Sequence, residues 1–170
     1  GTADAPVIIT ARKDDTAGGD SDHNGIEGSA APAAGDWEQI NFAATSGASV
    51  IHHLEVRYAG MTAPGNRDYR DALLLQSNAT LQNLRIRDAA QNALRVLGAK
   101  SPILQDVDIQ RSGGVPYYFT LDAKPVLAFL SASNNGTEGI WIDGGTLLAD
   151  QVWDYVGLPY HFTTDITVSA

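Results

Sequence analysis

The sequence predicts an all-β fold, a right-handed parallel β-helix solenoid of about six to seven rungs with a polar loop inserted near the N-terminus, and two recurring patterns predict it. The first is a three-residue core that reads in-out-in. It recurs as Ile40-Asn41-Phe42, Leu73-Leu74-Leu75, Leu94-Arg95-Val96, Tyr117-Tyr118-Phe119, Ile140-Trp141-Ile142 and Tyr160-His161-Phe162. The first residues step by 33, 21, 23, 23 and 20 positions, so all but the first step lie near 22. The second pattern runs Ile51-His-His-Leu54-Glu-Val56, Leu81-Gln-Asn-Leu84-Arg-Ile86 and Leu104-Gln-Asp-Val107-Asp-Ile109, and Pro125-Val126-Leu127 continues the phase of Pro102-Ile103-Leu104. Its steps are 30, 23 and 23.

Because both patterns advance together, each period holds at least two short strands joined by turns rich in Gly, Asn, Asp and Ser. No segment carries a convincing helical periodicity. One turn of a parallel β-helix needs such a period, since each rung hydrogen bonds to the next and stacks its inward side chains into a continuous core. The long steps are polar insertions, residues 14–34 and 62–71, expected to protrude as loops. Gly114-Val-Pro-Tyr-Tyr-Phe-Thr120 and Gly157-Leu-Pro-Tyr-His-Phe-Thr163 read as duplicated rungs ahead of a coincidence of similar turns. The competing architecture is an antiparallel sandwich or barrel, which predicts hairpin turns every 8 to 12 residues or so and no shared long period.

A chain of 170 residues with 44% hydrophobic content fits one domain, 1–170, with a core throughout. Its net charge of −9 repels nucleic acid phosphates and anionic lipid surfaces and suits divalent cations, calcium foremost. Without cysteine there are no disulfides or thiolate metal sites. No run of 18 apolar residues occurs, so no membrane insertion is expected, and Gly1 to Pro6 do not resemble a signal peptide. The last residues, Asp165-Ile-Thr-Val-Ser-Ala170, read as a strand still running, and the chain is expected to be an excerpt of a larger protein.

The opening phrase carries a resemblance. Thr2-Ala-Asp-Ala-Pro-Val-Ile-Ile-Thr10, Lys13-Asp-Asp, Gly18-Gly-Asp20, Gly35-Asp-Trp37, Ile40-Asn-Phe42 and His53-Leu-Glu-Val-Arg-Tyr-Ala-Gly60 resemble the start of pectate-lyase-like β-helix modules of large bacterial surface and secreted proteins. The resemblance implies the fold and an extracellular or cell-surface location. It implies little about activity, because such modules serve as adhesin stalks, carbohydrate-active enzymes and scaffolds alike.

Two groups of residues are candidates for chemistry. Asp20-x-Asp22-x-Asn24-Gly25 has the one, three, five and glycine-six spacing of a calcium loop, in which alternate side chains turn inward around a sharp bend. Ala31 stands where a calcium hand needs its bidentate glutamate, so that motif is excluded and closure falls to Asp14, Asp15 or Glu27. The bland alternative is a solvated acidic loop. The second group is the outward file of the first pattern: Asn41, Leu74, Arg95, Tyr118, Trp141 and His161. Its last four members are flat groups on consecutive rungs, suited to stacking on sugar rings, and Arg95 suits a carboxylate or hydroxyl. Otherwise a loop or neighbouring module covers them.

On the second pattern, Glu55, Arg85 and Asp108 share one outward file and Arg57, Arg87 and Gln110 another; the first alternates in sign and reads as a ladder of cross-rung ion pairs. His52 and His53 read as a surface pair rather than a metal site. No carboxylate occupies the aromatic file, Glu138 beside it has no acidic neighbour on an adjacent rung, and nucleophile-elbow and phosphate-loop motifs are missing. The expectation is a non-catalytic scaffold or adhesive module with neighbouring modules of the parent chain as partners. The rivals are a carbohydrate-binding module and part of a polysaccharide lyase or hydrolase.

Overall fold

The computed structural model describes residues 1–23, 25, 31–61 and 71–169. Among them are thirteen strands and no helix. The strands are β1 (Val7–Ile9), β2 (Ile40–Phe42), β3 (Val50–Arg57), β4 (Asp71–Leu75), β5 (Thr80–Arg87), β6 (Asn92–Val96), β7 (Ile103–Gln110), β8 (Tyr117–Phe119), β9 (Val126–Ser133), β10 (Ile140–Ile142), β11 (Gly145–Leu147), β12 (Tyr160–Phe162) and β13 (Ile166–Val168).

From β1 to β10 the chain alternates between two sheets, one ordered β1-β3-β5-β7-β9 and the other β12-β10-β8-β6-β4-β2, while β11 and β13 form a small third sheet. Every pairing among the described strands is parallel. Hairpins are therefore absent from these residues and the antiparallel sandwich is excluded. The chain is all-β with parallel sheets, an architecture compatible with a β-solenoid. The predicted 62–70 part of the second insertion lies outside the described residues.

The in-out-in cores stack as their spacing requires. Ile40, Leu73, Leu94, Tyr117, Ile140 and Tyr160 lie in register on successive strands of the second sheet. Leu73, Leu94, Tyr117 and Ile140 are fully buried, and Leu75, Val96, Phe119 and Ile142 form the adjoining inward column. The first sheet answers with Leu54, Leu84, Val107 and Leu130 and with Val56, Ile86 and Ile109. Tyr117 spans the core: its hydroxyl donates to Val107 O at 2.7 Å and Ser131 O at 2.9 Å. Burial pushes its pKa well above the ordinary tyrosine value.

The second pattern contains a detail that simple alternation does not account for. Ile51 and Leu54 are three positions apart, which in an unbroken strand puts them on opposite faces. His53, Asn83, Asp106 and Phe129 resolve the conflict by taking the left-handed conformation, with φ of 53°, 55°, 52° and 54°. The pairing register skips this position, passing from His52↔Gln82 to Leu54↔Leu84. Each long strand thus turns a corner midway and keeps Leu81, Leu84 and Ile86 all buried. A second left-handed column, Tyr58, Asp88, Arg111 and Asn134, ends the same strands.

Asparagine and aspartate tolerate this conformation, whereas an aromatic residue does not gain the local hydrogen bonds that offset it. Phe129 is also 73% exposed, so little packing compensates for the strain. Phe129→Asn is accordingly expected to raise stability by about 1 kcal/mol in a denaturant titration. A loss of stability on that substitution would mean that the Phe129 ring packs in solution.

Candidate functional site

The N-terminal loop is tied to the first sheet before it gathers its acids. Asp14 is buried, and its carboxylate accepts from Thr10 Oγ1 at 2.6 Å, from Thr16 N and Oγ1, and from Arg57 Nη1 at 3.2 Å. Burial alone raises the Asp14 pKa, but the hydrogen bonds from Thr10, Thr16 and Arg57 together with the Arg57 charge outweigh it and leave the carboxyl below its usual range. Lys13 pairs with Asp36 at 3.0 Å, and Trp37 donates from Nε1 to Arg57 O at 2.7 Å. The Gly35-Asp-Trp37 phrase is therefore a clasp that fastens the loop to β3. Gly35 adopts φ +87° there, and a Cβ on it would meet the Ala90 side chain at 3.0 Å.

With Asp14 committed to Arg57, the remaining acids converge without it. Asp15, Asp20 and Asp22 each bring a carboxylate oxygen within 4.8 Å of the others, and no other cluster of three such ligands occurs among the described residues. Asp20 Oδ2 also accepts from Gly25 N at 3.0 Å, closing the turn expected at that glycine. The Asp15 carboxyl is pushed above its usual range by burial and then by the charges of Asp22, Asp20 and Asp14. Three oxygens crowded this closely suit a hard divalent cation. Asn24 and Glu27, expected to complete the shell, lie outside the described residues.

On the second sheet, register places Leu74, Arg95, Tyr118, Trp141 and His161 side by side. The Arg95 guanidinium carbon sits 5.0 Å from the Tyr118 ring centroid, and the Trp141 and His161 rings lie 5.4 Å apart at 34°. Arg95, Tyr118 and Trp141 are half-buried and His161 is exposed, so the file is only partly open to solvent. The file itself holds no carboxylate, as expected, but two flanking ones reach its side chains. Asp143, just after β10, accepts from the Tyr118 hydroxyl at 2.5 Å, and Asp71, at the head of β4, pairs with Arg95 Nη1 at 3.9 Å. Burial and the Asp143 carboxylate push the Tyr118 pKa to about 12. Asp143 was hidden from in-out reasoning because it lies beyond the strand and reaches back one rung.

The outward charges of the first sheet keep their files but not their partners. Glu55, Arg85 and Asp108 are in register, and so are Arg57, Arg87 and Gln110. Instead of pairing straight down the file, Arg57 reaches Glu55 on its own strand at 2.7 Å and Arg87 reaches Asp108 diagonally at 2.5 Å. Arg111 pairs with Asp88 at 2.7 Å. Arg85 forms no ion pair among the described residues. His52 is exposed and His53 occupies a corner, and neither belongs to a cluster of three metal ligands among the described residues.

Compared with protein-family models, with curated proteins and with solved structures, the chain matches none. Its function therefore rests on the geometry of these two places.

Proposed function

We propose that the chain is a stretch of a right-handed parallel β-helix of about six to seven rungs, pectate-lyase-like in its opening phrase, serving as a non-catalytic scaffold or adhesive module of an extracellular or cell-surface bacterial protein. The observation that carries this reading is the unbroken parallel ladder in both large sheets. Such a ladder is stiff along its axis, since each inner strand is bonded on two edges and shares a core with its neighbours. Right-handedness is the rule for parallel crossovers.

Strands β9 and β12 stand at sheet edges, and apolar side chains such as Val126, Phe162 and Val168 are exposed there and on β13. Open edges beside apolar surface suit partners of the same kind, so neighbouring modules of the parent chain are the proposed partners. Calcium is the proposed ion, held by Asp15, Asp20 and Asp22 and ordering the N-terminal loop. A charge of −9 argues against nucleic acid, and no helix among the described residues is long and apolar enough to cross a membrane.

The carboxylates beside the aromatic file are both engaged by side chains, Asp71 by Arg95 and Asn92 and Asp143 by the Tyr118 hydroxyl, which supports a non-catalytic role. Incubation with a panel of polysaccharides should release no reducing ends or unsaturated products above background. Product formation abolished by Asp143→Asn or Arg95→Ala would overturn the non-catalytic reading.

The stacking of Arg95 on Tyr118 and of Trp141 on His161 favours a second reading, in which the file binds a glycan. Trp141 supplies the central ring, so Trp141→Ala is expected to abolish binding on a glycan array. The melting curve should move little, because the indole is half-exposed and its one hydrogen bond goes to the Glu138 carbonyl at 3.2 Å. A fall of several kcal/mol would make Trp141 a packing residue and remove this reading.

A further inference from the structure

The first sheet stops at β9, and the chain that follows does not continue it. From β7 to β9 the register steps by 23 positions, and a further step of that length leads to residues 149–156, none of which forms a strand. The segment still keeps a strand's alternation. Gln151, Trp153 and Tyr155 are half-buried, whereas Val152, Asp154 and Val156 are exposed. Trp153 and Tyr155 pack against the core, and Trp153 meets the Phe162 ring edge-on at 5.3 Å.

Side chains stand here in place of ladder bonds. The Tyr155 hydroxyl donates to Leu130 O at 3.0 Å and accepts from Leu130 N at 2.7 Å, so one side chain occupies both backbone groups that Leu130 would offer to a next strand. Gln151 Nε2 ties down the other end by donating to Leu121 O at 2.7 Å and Ala123 O at 2.8 Å. Among the described residues, no backbone bond joins 151–156 to β9. A long edge strand with free N–H and C=O groups is a template for pairing with another chain, and covering the edge prevents it. β9 is such an edge: it is eight residues long and exposes Val126 and Phe129.

We propose that residues 151–156 are a strap that covers the β9 edge and keeps it from pairing with the β9 edge of a second copy of this chain. The like edge is the fitting partner because a two-fold pairing sets the same eight residues against each other, whereas the edge strands β1 and β12 offer only three residues each. The inference goes beyond the docking of neighbouring modules, since the strap belongs to this chain and needs no partner to act.

The test uses the double variant Gln151→Ala and Tyr155→Phe, which removes the four side-chain bonds and leaves the aromatic rings in place. By hydrogen-exchange NMR its Leu130 amide is expected to exchange roughly tenfold faster than in the native chain, as loss of one hydrogen bond allows, with the Val107 amide unchanged. Sedimentation velocity over a concentration series should show more dimer in the variant than in the native chain. Adding Val126→Lys should return the profile to the native one, because a lysine on an edge strand opposes pairing. Tyr155→Phe alone carries the same comparisons should the double variant lose its fold. Unchanged exchange at Leu130 overturns the strap as a cover. Faster exchange without more dimer, or dimer that Val126→Lys leaves in place, overturns the β9 edge of a second copy as what the strap excludes.

Discussion

Truncation of Ile140 to alanine is expected to lower the stability of the chain by about 2 to 5 kcal/mol, the range for removing a large aliphatic side chain from a packed interior. Ile140 is fully buried and lies in register between Tyr117 and Tyr160. The neighbouring columns are themselves held in place by the ladder, so the gap can close only in part. Leu94→Ala, two strands away in the same column, should cost a similar amount. Denaturant titration measures both. Changes below about 1 kcal/mol at both sites would mean that the column is not a packed core.

Calcium at about 100 times its dissociation constant is expected to stabilise the fold by about 2.7 kcal/mol, provided the unfolded chain does not bind it. Asp22→Ala should abolish the gain. The pH dependence follows from Asp15, whose folded pKa is raised: without a cation, the proton-linked stability is full below the unfolded value and is lost as pH rises through the folded value. A bound cation relieves the same repulsion, so the calcium effect should grow as pH rises through that range and shrink below it. Asp14 acts in the opposite sense. Its lowered pKa contributes stability above the unfolded value that disappears as pH falls through the folded one. Melting curves in chelator and in calcium, for the native chain and Asp22→Ala, measure the effect. Four coincident curves would eliminate the ion.

The ladder was legible in the sequence because it depends on period alone. Leu73, Leu94, Tyr117 and Ile140 recur at nearly constant steps, and constant steps fix register. The corners were less legible. Asn83 and Asp106 are typical left-handed residues, but His53 and Phe129 share their position and disguise the column. Strand β11 was missed because Gly145-Thr-Leu147 is too short and too poor in apolar residues to carry a pattern. In the acidic loop, spacing singled out Asp20 and Asp22 but could not sort Asp14 from Asp15. That division depends on Arg57, 43 positions away, which takes Asp14 for itself. Side chains that reach across rungs, such as Asp143 to Tyr118 or Arg87 to Asp108, depend on rotamers that periodicity does not encode.

The central claim is that successive long strands lie parallel and in register, and the cysteine-free chain allows it to be tested directly. Gln82 and Gln105 are register partners on β5 and β7, and their side chains hydrogen bond at 3.0 Å. In-register parallel neighbours place their Cα atoms about 4.8 Å apart, within disulfide reach. The double variant Gln82→Cys and Gln105→Cys should form an intramolecular disulfide under mild oxidation, detected as a loss of 2 Da or so by mass spectrometry. The pair Gln82→Cys and Asp108→Cys, three positions out of register, should remain reduced. Crosslinking of the second pair in preference to the first would contradict the register and the stacked architecture with it.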